Sequence, residues 1–203
     1  VTLQLFSSAA SPFARKVRVV ILECGLADRV EIVPVQTTPL EQDAKLVRAN
    51  PVGKVPALVR DDGPAVYDSR VITRYLDAIA AASLYPSARL WEVLTLEATA
   101  DGVLDAAVLL TYERRFREEG MQSEGWIQGQ RQRIHRTLDA LGERWMSHLK
   151  GRLDIGQIGT GCALSYLDFR HPDMNWREGR SALADWFAGF AERDSMKATE
   201  PQG

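Results

Sequence analysis

Val55-Pro56-Ala57-Leu58-Val59-Arg60-Asp61-Asp62-Gly63-Pro64-Ala65-Val66-Tyr67-Asp68-Ser69 is the stretch that decides the fold of the first part of the chain. Val55 to Val59 is an apolar run of strand length, Asp61-Asp62-Gly63 has the composition of a hairpin turn, and Ala65-Val66-Tyr67 is a second strand. That strand runs straight into Asp68-Ser69, residue types whose side chains accept hydrogen bonds from the free amides of a helix start. Val71, Ile72, Tyr75, Leu76 and Ile79 then recur at helical spacing. The segment therefore reads strand, turn, strand, helix.

Upstream, Val30 to Val35 reads as another strand, and Pro34, which has no amide hydrogen to give a ladder, puts it at a sheet edge. Residues 39–49 form a crossover segment. Thr2 to Phe6 alternates polar and apolar residues as a strand does, and Ser11-Pro12 opens a helix with a capping serine and a proline in the first turn. Phe13, Val17, Ile21 and Cys24 give that helix one apolar face, and Gly25 ends it. Over residues 1–80 the order is βαβαββα, which predicts a mixed four-stranded sheet with helices on its faces.

Downstream the pattern changes. Residues 80–87, small and interrupted by Pro86, read as a linker, and residues 88–203 show helical spacing with no strand run. Arg89 to Arg117 and Ser123 to Leu149 are long helices, the second with Ile127, Ile134, Leu138, Leu141 and Trp145 on one face. Asp154 and Gln157 resemble a capping box ahead of the apolar run Ile158 to Leu167, His171-Pro172 stops that helix, and Leu183, Trp186, Phe187 and Phe190 mark a last one. The five tryptophans read as core. The fold class is α/β plus all-α, in two domains.

The chain has 203 residues, 45% apolar and 26% charged, with a net charge of -2. That balance gives no broad basic field for nucleic acid or an anionic membrane. No run approaches the ~18 apolar residues of a spanning helix, and the N-terminus lacks the basic start and apolar stretch of a signal peptide, which predicts a cytoplasmic protein. Cys24 and Cys162 form neither a CxxC pair nor a ligand spacing, and His135, His148 and His171 are scattered and read as surface or cap residues. A metal site or a nucleophilic triad is not expected.

Three blocks carry a resemblance. Ser11-Pro12-Phe13-Ala14 resembles the Cys-Pro-Tyr-Cys motif of glutaredoxins with both cysteines replaced, and is similar to the Cys-Pro-Phe-Ala of some glutathione transferases. Asn50-Pro51-Val52-Gly53-Lys54-Val55-Pro56-Ala57-Leu58 resembles the transferase signature around a cis-proline, and Tyr67-Asp68-Ser69-Arg70 resembles the acidic-serine pair that holds a γ-glutamyl group. Residues 100–106 and 162–170 also resemble bacterial transferase segments. One departure lies at the cap before residue 155: the family shows Ser or Thr followed by Asp, whereas Asp154 and Gln157 offer the same chemistry with roles exchanged.

The resemblance implies a bacterial cytosolic glutathione S-transferase, with a thioredoxin-like N-terminal domain, an all-helical C-terminal domain, a detoxifying activity and glutathione as co-substrate. Ser11 would hold the thiolate, and Val55 would pair through its main chain with the cysteinyl unit beside a cis Pro56. Lys54 would meet the glycyl carboxylate, Asp68 the α-ammonium group, and Ser69 with the helix amides the α-carboxylate. Tyr112, Arg115 and Phe116 are the candidate lining for a small electrophile, and a homodimer is implied through the helices that contain Arg70 and Leu90.

The thiol chemistry sets a quantitative need. A free thiol with a pKa of about 8.5 is only about 3% ionised at neutral pH, and lowering it by about two units takes ~2.7 kcal/mol. A hydrogen bond to a charged group supplies ~1.5–3 kcal/mol and a helix N-terminus another ~0.3–2, so one hydroxyl at a helix start suffices. Ser7 and Ser8 are rivals for the role, and Ser11 has a plain capping role available as well. A glutathione-dependent peroxidase or reductive lyase, and a non-catalytic binding protein, remain as alternative readings of the same fold.

Overall fold

The computed structural model describes residues 3–203, so the first strand's start at Thr2 lies outside the described residues. The chain divides into two compact units, residues 1–87 together with 194–203, and residues 88–193.

In the first unit, β1 (Leu3–Ser7), β2 (Val30–Pro34), β3 (Ala57–Arg60) and β4 (Gly63–Val66) form a sheet of order β2-β1-β3-β4. β1 pairs parallel with β2 and antiparallel with β3, and β3 pairs antiparallel with β4. β2 is an edge strand, as its proline requires. α2 (Ala44–Ala49) places Leu46 against Phe6, Val35 and Ala57 on one face of the sheet. Leu3 and Leu5, fully buried, alternate onto the opposite face, leaving α1 (Pro12–Glu23) and α3 (Ser69–Ala80), which pack on one another, to cover it. Past α3 the chain is tied down by Asp77, whose carboxylate accepts the amides of Leu84 at 2.7 Å and Tyr85 at 3.3 Å.

α1 departs from its amphipathic reading. Phe13 and Cys24, assigned to its apolar face, are half-buried, while Ala14, Arg15, Lys16, Val19 and Val20 are buried. The reason is a second neighbour: α9 (Asp194–Lys197) packs on α1, so this helix is covered on more than one side. Carrying the helical domain through to residue 203 thus misses that residues 194–203 fold onto the first unit.

The second unit is helical throughout its described elements. α4 (Leu90–Phe116) packs on α5 (Glu124–Arg144) and along α7 (Ile155–Arg170), and α8 (Ser181–Ala191) packs on α7. The helix expected over residues 123–149 breaks at Trp145, after which α6 (Met146–Leu149) is a single turn. Gly156 permits the close approach of α7 to α4: a Cβ there would lie 2.7 Å from Leu96 Cδ2. The cap of α7 is a complete capping box, with Asp154 Oδ1 accepting the amides of Gly156 and Gln157 and Gln157 Oε1 accepting the amide of Asp154 at 2.7 Å. His148 Nε2 lies 2.7 Å from Asp154 Oδ2, so that histidine supports the cap.

The reading of all five tryptophans as core is corrected. Trp176 is 2% exposed, but Trp145 and Trp186 are half-buried and Trp91 is 77% exposed. Trp91 sits two residues before Val93, about 200° around a helix from that buried position, and so faces away from the stripe of Val93, Leu96, Ala100 and Leu104. Trp126, in the first turn of α5, is also exposed. Among the described residues no helix is long and apolar enough to cross a membrane, and no cluster of His, Cys, Asp and Glu could hold a metal ion.

Candidate active site

Strand register brings the first-unit candidates to one edge. Phe6 pairs with Ala57 across β1 and β3, so the end of β1 lies beside the residue before Ala57, Pro56. Leu58 pairs with Val66 across β3 and β4, and two residues further β4 has run into Asp68 while β3 has reached back to Pro56. The loop to Ser11, the Val55-Pro56 corner and the start of α3 therefore share one end of the sheet.

Ser11 is the N-cap of α1. Its backbone is extended, with φ -78° and ψ 120°, and its Oγ accepts the amide of Ala14 at 3.2 Å. No acidic residue occupies the first turn, so the positive end of the helix dipole is uncompensated there. The loop in front is fixed by Ser11 N–H donating to the Ser8 carbonyl at 3.2 Å and by Arg18 Nη2 donating to the Ala9 carbonyl at 3.3 Å. Of the rival hydroxyls, Ser7 is buried and belongs to β1, and Ser8 is half-buried. The Cys24 thiol is pushed up to about 11 by burial and by the nearby Asp77 and Glu23 carboxylates, so it remains protonated at neutral pH.

The Val55-Pro56 bond is cis, and Val55 precedes the β3 ladder, which begins at Ala57. Pro56 is buried and Lys54 exposed. Asn50, 3% exposed, holds this loop: its Nδ2 donates to the Lys54 carbonyl at 2.7 Å, its Oδ1 accepts the Val52 amide at 3.0 Å, and its carbonyl accepts the Gly53 amide at 2.8 Å. Gly53 has φ +69°, a left-handed conformation that suits glycine. The sequence pattern assigns Asn50 no task of its own; an asparagine three residues before a loop glycine is the turn signal that points to it.

Asp68 follows a second cis bond, Tyr67-Asp68, and caps α3 by accepting the Arg70 amide at 3.0 Å. Its other oxygen accepts Arg70 Nη2 at 3.0 Å. Partial burial opposes ionisation, but the Arg70 bonds and charge, with Lys16 on α1, outweigh it and hold the carboxyl below its usual range. Ser69 is buried at the first turn of α3, and its carbonyl accepts the Thr73 hydroxyl at 2.9 Å. The influence of fully buried Lys16 was not legible, because a lysine in an amphipathic helix reads as solvated.

In the second unit, Tyr112, Arg115 and Phe116 form one cluster at the end of α4. The Tyr112 and Phe116 rings are 5.3 Å apart and the Arg115 guanidinium lies 5.4 Å from the Phe116 ring centre. Burial raises the Tyr112 phenol despite the Arg115 charge, so it stays a hydrogen-bond donor. A groove of about 550 Å³ in the first unit, lined by Phe6, Lys45, Arg48, Val59 and Tyr67 among others, includes none of Ser11, Val55, Pro56, Asp68 or Ser69.

Both parts of the chain match known protein families. Residues 10–79 match the family model described as glutathione S-transferase, N-terminal domain, and residues 124–189 match glutathione S-transferase, C-terminal domain. The chain is 32% identical over 204 residues to an uncharacterized GST-like protein, YibF, of Escherichia coli K12, covering 98% of each. It is 43% identical to a glutathione transferase family member from Pseudomonas fluorescens Pf-5 solved with bound glutathione, with a TM-score of 0.97 and full coverage of both chains. A second structure from that organism, with bound S-(propanoic acid)-glutathione, matches at 42% identity and a TM-score of 0.92, over 99% of this chain and 100% of the other.

Proposed function

The chain belongs to the glutathione S-transferase family, and from that premise we propose that it is an enzyme that binds glutathione at the shared end of β1, β3 and β4 and adds its sulfur to a small electrophile. The observation that carries this reading is Ser11 Oγ at the N-cap of α1, at the sheet end that also holds Pro56 and Asp68. Glutathione pairs as an extended strand with the main chain of Val55, and Lys54 meets its glycyl carboxylate. Its α-ammonium group meets Asp68, whose depressed pKa keeps it charged, and its α-carboxylate meets Ser69 and the first amides of α3.

The thiol gives its proton to solvent and the thiolate remains beside Ser11. The serine hydroxyl turns its hydrogen toward sulfur while a lone pair keeps the Ala14 amide, so capping and catalysis coexist. Sulfur then attacks an electrophilic carbon and forms a C–S bond, while the displaced electron pair departs with a leaving group or, at an activated double bond, moves to the neighbouring carbon, which takes a proton from solvent. The Tyr112 and Phe116 rings suit an electrophile with a largely apolar body, and Arg115 suits a carboxylate carried on it. The S-(propanoic acid)-glutathione bound by the Pseudomonas relative, whose sulfur substituent carries a carboxylate, supports that combination. A cytoplasmic homodimer belongs to the same proposal, and exposed Val71 on α3 and Trp91 on α4 provide apolar surface for self-association.

The test is the ultraviolet absorbance of the bound thiolate against pH, in the native protein and in Ser11→Ala, together with conjugation of a standard electrophile. A bound thiol well below pKa ~8.5 that rises in the variant supports the mechanism. Tight glutathione binding with an unshifted thiol and no turnover would instead identify a binding protein.

A further inference from the structure

The helix that carries Ser11 is gripped by a segment from the far end of the chain. Arg15, 3% exposed in α1, donates from Nη2 to the Met196 carbonyl at 3.0 Å and from Nε to Thr199 Oγ1 at 3.4 Å. The Thr199 hydroxyl donates in turn to the Ser195 carbonyl at 2.7 Å, and Ser195 Oγ donates to Glu23 Oε1 at the last turn of α1. Ser195, Met196 and Thr199 are all buried. Arg15 and Glu23 are separated by roughly 12 Å along the helix at about 1.5 Å per residue, so the segment holds α1 near both ends.

Neither partner stands well alone. A buried guanidinium is strongly destabilising unless its N–H groups are met, and a four-residue helix such as α9 has no stability of its own. Together they fix the axial position and rotation of α1. Arg15 is one turn from Ser11, and its amide donates to the Ser11 carbonyl at 2.9 Å, the opening bond of the helix. Any slide or roll of α1 therefore carries Ser11 Oγ with it, and displacements of about 1 Å at a reacting group are costly to catalysis.

We propose that residues 194–199 are a positioning clamp for the thiolate-binding end of α1, with Arg15 and Thr199 as positioning residues. The proposal rests on the assignment of Ser11 to the glutathione thiolate. It predicts that hydroxyls remote from the ligand tune the thiol, through the setting of the helix and not through charge.

The experiment uses full-length Thr199→Val, the double variant Ser195→Ala with Thr199→Val, and Arg15→Lys, all of which keep the cationic charge of α1. Bound-thiol pKa, glutathione Kd and melting temperature are measured for each, beside Ser11→Ala. In the double variant the thiol should rise by about 0.5–1 pKa unit and the Kd weaken about three- to tenfold, with Arg15→Lys moving the same way. A lowered melting temperature with unchanged thiol pKa and Kd would show a purely structural tie and overturn the clamp. Thr199→Val swaps one hydroxyl for a methyl, so it keeps the question open to refutation if the double variant does not fold. A shift in Ser11→Ala alone retains the thiolate assignment and rejects the clamp. Shifts in the tail variants without one in Ser11→Ala reject that assignment and keep the clamp for the helix end itself, and no shift in any variant rejects both.

Discussion

Replacing Ser11 tests two roles that the structure superimposes on one hydroxyl. In Ser11→Ala the Ala14 amide loses its acceptor at 3.2 Å, which should cost about 0.5–2 kcal/mol of stability. The thiolate loses a charged hydrogen bond of about 1.5–3 kcal/mol, equivalent to a rise of about 1.1–2.2 pKa units. From a bound thiol near pKa ~6.5, the thiolate fraction at pH 7 would fall about 4- to 40-fold, and the rate with it, while above about pH 9 most of the deficit would vanish. Ser11→Asp separates the roles. Aspartate caps a helix as well as serine does, but its carboxylate has no hydrogen to donate and repels the thiolate. It should keep the melting temperature and lose the ionised thiol, whereas Ser11→Ala should lose both. Thermal unfolding gives the first readout, and thiolate absorbance with pH–rate profiles gives the second. A thiol pKa that stays low in both variants would refute the assignment and move attention to Ser7, Ser8 or the helix dipole alone.

Asp68→Asn keeps a capping side chain on α3 but removes the charge, so glutathione affinity should weaken about tenfold with little change in unfolding; calorimetry showing unaltered affinity would remove Asp68 from the ammonium site. Gly156→Ala would drive a Cβ to 2.7 Å from Leu96 Cδ2, and the overpacking should destabilise the second unit by about 1–3 kcal/mol in urea titrations, without altering the glutathione thiol. His171, 1% exposed, has its pKa lowered by burial and by the Arg114 and Arg131 charges, against the raising effects of the Ala107 hydrogen bond and Asp173. Its Nε2 lies 2.9 Å from the Ala107 carbonyl, which can only accept, so Nε2 carries the hydrogen and the unpartnered Nδ1 has nothing to stabilise a proton. The unfolded chain then binds the extra proton as pH falls below about 6.5, so stability should decline on that side by up to ~1.4 kcal/mol per pH unit from this group; His171→Asn should flatten that slope in urea melts at several pH values between 5 and 7.5.

What the sequence determined is what short-range chemistry decides. The Ser11 cap, the hairpin before β4, the edge position of Pro34 and the Asp154–Gln157 box each depend on residues within a few positions of one another, and each is found where the local pattern puts it. The candidate residues were legible as individual caps and corners. Because each block sits at a strand junction, one shared edge of the sheet follows from the order of the elements, whereas the register that sets it, Phe6 with Ala57 and Leu58 with Val66, is fixed by no spacing rule. Hydrophobic periodicity also assumes that charge means solvent and a large ring means core. Arg15 and Lys16 break the first assumption, because α9 and α3 pack on the same helix and cover them. Trp91 breaks the second, because burial is set by which face of α4 meets α5 and α7 and not by the size of the side chain. Local chemistry thus sets each element, and only packing between distant segments decides which side chains those elements enclose.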